Sequence, residues 1–192
     1  VMLSILIFQI LDKQRIKSII TILIVIPGIF FVAYQTSSLF SERVNEGLKN
    51  IVKYEDNQYS SAGLRIYFSI NSWEVIRKNP IIGVGTGDFP IEYRKINKIN
   101  SPELPNVTNP HNMYALILAQ LGLVGLFSML SIFYYQIKFS SNSSNKFIRD
   151  VGMTLPLMFL VMMLSDSYLL GHYTSLMFIL FSSFLYKDFE KS

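Results

Sequence analysis

From Asn112 to Ile137 the chain carries no charged side chain, and most of that stretch is apolar. A run longer than about 18 such residues is what a helix needs to cross a bilayer. Only helices and closed barrels can satisfy every backbone polar group inside hydrocarbon. This run therefore sets the terms for the rest of the chain. Further apolar runs occupy about Ser18–Tyr34, Val151–Leu170 and Tyr173–Tyr186, the last two joined by a tight turn at Gly171. Hydrophobic residues make up 51% of the chain and charged residues 16%. Their concentration in long runs, instead of a spread at period 2 or 3.6, argues for an all-α integral membrane protein. Pro27-Gly28 is expected to kink the first of these spans. The opening segment "VMLSILIFQIL" is too short to span, and it lacks both the basic start and the cleavage site of a signal peptide. It reads as the end of a helix begun upstream, and the chain as a C-terminal piece of a larger membrane protein.

Charge orients the spans. The short loops at 12–17 and 138–150 hold three basic residues each, and the tail holds Lys187 and Lys191, whereas the turn at Gly171 has none. Positive charge in short loops marks the cytoplasmic side. Three parts follow: 1–34, the end of one span, a cytoplasmic turn and a second span; 35–111, a large extracytoplasmic loop; and 112–192, three spans and a short cytoplasmic tail. Between Gln35 and Pro110, nine basic and eight acidic residues nearly cancel. With a net charge of only +4, no segment reads as a nucleic-acid surface. The absence of cysteine excludes disulfides, thiolate metal sites and a thiol nucleophile.

Within the outer loop, "SSAGLRIYFSINSWEVIRKNP" predicts a helix capped by Ser60 or Ser61 and ended by Asn79-Pro80. Leu64, Phe68 and Val75 form one stripe and Ile66, Ile70 and Trp73 another. Such a helix suits the membrane surface, with Trp73 as an interfacial anchor. "GVGTG" (83–87) fails as a nucleotide loop: no strand precedes it, and Phe89-Pro90 stands where a helix should start. It reads as a turned link. Asn106-Val107-Thr108 is a formal glycosylation sequon without weight here.

His111 stands before Asn112, a good N-cap, and after Pro110, which excludes helix. At the positive end of a helix the dipole favours a neutral ring able to take a proton, which suits a general base. Position alone favours an interfacial histidine that merely anchors the helix end, since polar residues are common there. On a continuous helix, Gly122 lies about 20° and Gly125 about 40° from His111 around the axis, with Gly122 roughly 15 Å below it. The glycines then open a notch for a neighbouring helix or for the tail of a lipid-linked substrate. Asp166 and His172 flank the last outer turn as interfacial polar residues, and Asp166 could orient a basic partner.

His111-Asn112, nine residues, then Gly122-Leu123-Val124-Gly125 resembles the H-[NSQ]-x9-G-x-x-G pattern of the O-antigen ligase and O-antigen polymerase superfamily. Upstream, "GLRIYFSINSWEVIRKNPIIGVGTGDF" is similar to that superfamily's outer-loop block: an arginine, a tryptophan eight residues on, Asn-Pro, and a glycine-rich turn. The likeness covers roughly 60–130. It implies a multi-span, GT-C-like helical bundle with a large outward-facing loop containing a surface helix. It further implies a metal-independent glycosyltransferase of the bacterial inner membrane, with no cofactor. Its expected partners are an undecaprenyl-diphosphate-linked glycan, a glycan, lipid or protein acceptor, and membrane lipids. By the same resemblance His111 activates the acceptor hydroxyl and Arg65 contacts the diphosphate, where a guanidinium pairs bidentately with the leaving group. Asn112, Arg77, Arg94, Gly122 and Gly125 are the expected substrate-binding positions; Lys78, Lys95 and Lys98 are weaker candidates. Polymerisation of surface-polysaccharide repeats is the preferred activity. Ligation of finished glycan to an acceptor, transport of lipid-linked oligosaccharide, and a non-catalytic scaffold are the alternatives. Transport predicts charged residues along the spans, of which only Asp166 qualifies.

Overall fold

The structure, a computed structural model, describes residues 15–186. The opening apolar segment, most of the first basic loop and the basic tail lie outside the described residues. Seven helices and no strand are present among the described residues: α1 (Arg15–Thr36), α2 (Ser38–Val52), α3 (Ser61–Lys78), α4 (Phe89–Asn100), α5 (Met113–Ser141), α6 (Lys146–Met162) and α7 (His172–Leu185). The described residues form two compact units that divide between Gly63 and Leu64.

In the first unit, α1 continues as helix through Pro27-Gly28. The sharp turn comes later: α1 and α2 meet at 107°. Ser37 makes it, leaving helical geometry with its side chain accepting from the Phe40 backbone N–H. An edge-to-face pair, Phe30 and Phe40, and a hydrogen bond from Tyr34 to Asn45 Oδ1 at 2.9 Å brace the corner.

The polar outer segment is more helical than its composition suggests. It holds three helices, not one. α3 matches the sequence expectation: Ser60 caps it by accepting from Gly63 N–H at 3.0 Å. The stripe containing Phe68 and Val75 is buried, and Ile70 and Trp73 of the other stripe are exposed. α2 and α4 were not expected. α4 begins at Phe89-Pro90, the position held to forbid a helix start. Proline at the first helical turn lacks only an N–H that would be orphaned anyway, so it favours the start it seemed to exclude.

A buried amide cluster joins α3 to α4. Asn71 takes the place of an apolar residue in the buried stripe, between Phe68 and Val75. Its Nδ2 donates to Asn97 Oδ1 at 3.0 Å and to Ser101 Oγ at 2.8 Å, and its Oδ1 accepts from Asn100 at 3.2 Å. Asn97 in turn donates to the Leu104 carbonyl. These bonds fix the irregular 101–106 segment that leads to His111, in a region where unpaired polar groups would be costly.

Among the described residues α5 is a helix long and apolar enough to cross a membrane. It is not straight. Gly122 has φ 63 and ψ −159, outside helical geometry. The packing measures the bend. Met113 N–H donates to Met163 O at 3.0 Å, and a Cβ on Gly152 would overlap Ser140. Between those two contacts α6 rises only about 16 Å, whereas a straight α5 would need about 40 Å, so α5 turns through roughly a right angle or more at Gly122. The expectation that His111, Gly122 and Gly125 share one face required a continuous helix, and it does not hold.

The last expected pair of spans is also redrawn. α6 ends at Met162 and α7 starts at His172, so the connection is a loop over 163–171 and not a tight turn at Gly171. Past Gly122, α5 packs with α6 and α7 through Phe133, Phe159 and Phe178, whose ring centroids lie 4.8 and 5.5 Å apart.

Candidate active site

His111 precedes the α5 N-cap. Its φ of 54 makes it the one non-glycine residue with positive φ among the described residues. That conformation is uncommon outside glycine, Asn, Asp and His, and persists where surrounding bonds hold it. Here they do. Asn109 Oδ1 accepts from the His111 backbone N–H at 2.8 Å and from Ser167 Oγ at 2.7 Å. Asn112 Oδ1 accepts from Ala115 N–H at 3.0 Å as the cap, and its Nδ2 donates to Leu164 O at 3.2 Å. Together with the Met113–Met163 backbone bond, these contacts latch the 163–167 loop to the mouth of α5.

The latch delivers a carboxylate. His111 Nδ1 lies 3.2 Å from Asp166 Oδ1, which also accepts from Ser167 N–H at 2.7 Å. Both side chains are about 40% exposed, so the pair is open on one side. With Nδ1–H donating to Asp166, the imidazole tautomer leaves Nε2 as the acceptor. The opposite support is aromatic. Phe68 stacks on the imidazole with ring centroids 6.0 Å apart, and Tyr93 meets Phe68 edge-on. Burial raises the Tyr93 phenol above its usual value, opposed by the Asn71 hydrogen bond.

Arg65 lies one turn before Phe68 on α3, within about 60° around the helix and 4.5 Å along it. It is exposed, and among the described residues no carboxylate pairs with it. Arg65 thus lies one helical turn from the residue that stacks on His111. Arg77, nine residues beyond Phe68, falls about 180° around α3. It is ion-paired to Glu74 at 3.2 Å and lines an open groove of about 530 Å³ between α3 and α4 with Lys78, Asn100, Ile96 and Ile99. Arg94 is exposed on α4 beside Tyr93. Lys78 and Lys95 are both paired with Glu92, whose carboxyl is held below its usual range, chiefly by the Lys95 hydrogen bond.

The glycines have different roles. Gly122 is buried, and a Cβ there would overlap the Ile81 carbonyl and Ile82 nitrogen. It makes room for a backbone, not a ligand. Gly125 lines an apolar groove of about 520 Å³ with Ile82, Ile117, Leu121 and Val124. Among the described residues no group of three or more His, Asp or Glu side chains could hold a metal ion. Asp166 is the functional candidate that a linear reading leaves among the interfacial residues. Its signal was weak: one carboxylate in an apolar region, 55 residues from its partner.

The described residues are thus all-helical, with one helix long and apolar enough to cross a membrane and a histidine–carboxylate pair at its mouth. A family model described as O-antigen ligase matches residues 1–130, and the chain belongs to that family. Membership places it in general among ligase- and polymerase-type enzymes of the bacterial inner membrane, which act on lipid-linked glycan and an acceptor. No curated protein matches the chain.

Proposed function

We propose that the chain serves a metal-independent glycosyltransferase that uses undecaprenyl-diphosphate-linked oligosaccharide outside the cytoplasm and polymerises surface-polysaccharide repeats. The observation that carries this reading is the 3.2 Å contact between His111 Nδ1 and Asp166 Oδ1. The contact orients the ring so that Nε2 receives the proton of an acceptor hydroxyl. Asp166 steadies the imidazolium that forms, in the manner of other carboxylate–histidine pairs. The deprotonating oxygen attacks the anomeric carbon of the donor sugar, and the carbon–oxygen bond to the diphosphate breaks. Negative charge grows on the leaving diphosphate, where Arg65, one helical turn from the histidine's stacking partner, stabilises it. Arg77 and Arg94 lie on other faces and serve the glycan farther from the reacting bond. Asn112 keeps one amide N–H beyond its capping and latch bonds for a substrate oxygen. Gly125 serves the carrier's hydrocarbon. α1, the part of α5 beyond Gly122 and the α6–α7 pair cross the membrane as parts of a multi-span bundle, and the loop of residues 35–111 belongs to its extracytoplasmic side.

The test is complementation of a deletion strain by the full-length gene, followed by surface-glycan gels. His111→Ala lowers turnover by about 10²–10⁴-fold, and Asp166→Ala gives a smaller loss at normal protein level. Single repeats on the anchor identify a polymerase, and long chains stranded on the carrier identify a ligase. A wild-type profile from His111→Ala refutes the assignment of the base.

A further inference from the structure

The right-angle bend in α5 is held open by a second segment. In a continuous helix Leu123 N–H would bond Ala119 O, and Val124 N–H would bond Gln120 O. Here Leu123 and Val124 donate instead to Pro80 O (2.9 Å) and Ile81 O (3.2 Å). Ala119 O and Gln120 O accept from Val84 (2.8 Å) and Gly85 (3.0 Å). The backbones approach so closely that a Cβ on Gly83 would overlap Gln120, and one on Gly122 would overlap Ile81. Residues 80–85 therefore complete the hydrogen bonding of the broken helix, the condition under which irregular backbone is tolerated at membrane depth.

Two rulers give that depth. Lys138 is the first charged residue on the cytoplasmic side of α5; Gly122 lies 16 residues above it, about 24 Å along the helix, inside a hydrocarbon core of about 30 Å. On α6, Met163 lies 14 residues above Arg149, or about 21 Å. Met163 is bonded to Met113. The two ends of the first half of α5, Met113 and Leu121, thus stand at nearly the same height, and that half-helix runs close to the membrane plane.

We propose that the 79–87 segment and the half-helix Met113–Leu121 form a wedge embedded in the outer leaflet, with Ile81 and Ile82 in contact with lipid acyl chains. The chemistry of the segment fits that partner. No charged residue lies between Lys78 and Asp88. Ile81 and Ile82 are 63% and 71% exposed, and they adjoin Leu123 and Val124, which are also exposed. The inference rests on the reading of α5 beyond Gly122 as membrane-spanning. It does not depend on catalysis.

The chain contains no cysteine, so nitroxide labels can be placed singly in the full-length protein once any cysteine elsewhere is removed. Labels at Ile82→Cys, Phe127→Cys and Lys98→Cys are compared in phospholipid vesicles by collision with oxygen and with a water-soluble nickel chelate. Phe127 is an exposed position on the spanning half of α5, and Lys98 an exposed charged position on α4. The expected result is an oxygen-to-nickel collision ratio several-fold higher at Ile82 than at Lys98, and close to that at Phe127. An Ile82 label as accessible to nickel as Lys98, with Phe127 in lipid, overturns the wedge and leaves the span standing. Nickel access at both Ile82 and Phe127 overturns the wedge together with the spanning reading. Ile81→Cys provides the same readout should the Ile82 variant not fold.

Discussion

Gly122→Ala tests the interlock between α5 and the 80–85 loop. The residue sits at φ 63 and ψ −159, a region open essentially to glycine alone. Holding a side-chain-bearing residue there costs about 1–3 kcal/mol. A Cβ would also overlap the Ile81 carbonyl and the Ile82 nitrogen, which are backbone atoms and cannot swing aside. Relief requires the loop to withdraw, giving up hydrogen bonds with a net worth of about 1 kcal/mol each. A local cost of about 3 kcal/mol is therefore expected, equivalent to an increase of about a hundredfold in the opening constant of this region. Amide hydrogen exchange on the full-length protein in lipid nanodiscs reads that directly at Val84, Gly85, Leu123 and Val124. Gly47→Ala is the control. It lies in α2 with nothing near its added methyl, and exchanging glycine for alanine in an exposed helix gains up to about 1 kcal/mol. Unchanged protection of the four amides in Gly122→Ala would refute the argument, because a strained Ala cannot keep all four bonds.

Two further outcomes follow from the outer helices. Asn71→Leu preserves bulk but removes the acceptor for Asn100 and the donor to Asn97 and Ser101; at about 1 kcal/mol for each of these bonds a loss of about 3 kcal/mol is expected, read as a lower melting temperature of the full-length protein and faster exchange across 101–106. Glu92 joins Lys78 on α3 to Lys95 on its own helix, and the Lys95 hydrogen bond above all holds its carboxyl below the usual carboxylate range. A depressed carboxyl contributes stability that is present above its unfolded value and lost as pH falls through the folded one. α3–α4 exchange protection is therefore expected to be flat at neutral pH and to decline as pH falls through the carboxylate range. Glu92→Gln is expected to remove that part of the decline.

What could be read from the sequence was whatever local chemistry decides. Ser60 and Asn112 cap their helices because a side-chain oxygen beside orphaned N–H groups has one good use. The buried stripe of α3 was visible as spacing. α2 and α4 were missed although each carries an apolar stripe at helical spacing, Phe40, Val44, Leu48 and Ile51 in one and Phe89, Tyr93 and Ile96 in the other; their polar composition and Phe89-Pro90 masked that period. Asn71 could have been found: an amide three residues after Phe68 and four before Val75 sits at a core position, and a buried amide needs partners. Its partners, at positions 97, 100 and 101, could not have been named in advance.

The site shows the same division more sharply. His111 was legible because Pro110 and Asn112 fix a helix start around it. The glycine pair was legible as a pattern, but the geometry attached to it assumed the helix period continued through Gly122. That assumption fails for a physical reason: the 80–85 loop offers four backbone hydrogen bonds at the point where glycine can leave the helix. Once α5 bends, its mouth is carried sideways to the end of α6 instead of standing above the bundle. There Met163 pairs with Met113, and the loop that follows can present Asp166 to the His111 ring. The bend and the carboxylate are thus one consequence. A straight α5 would place its N-terminus far beyond the end of α6, out of reach of any residue in the 163–171 loop. Gly122, which touches no reacting group, therefore positions the histidine's partner through the backbone. Any change that straightens the helix should separate the pair before it disturbs either residue.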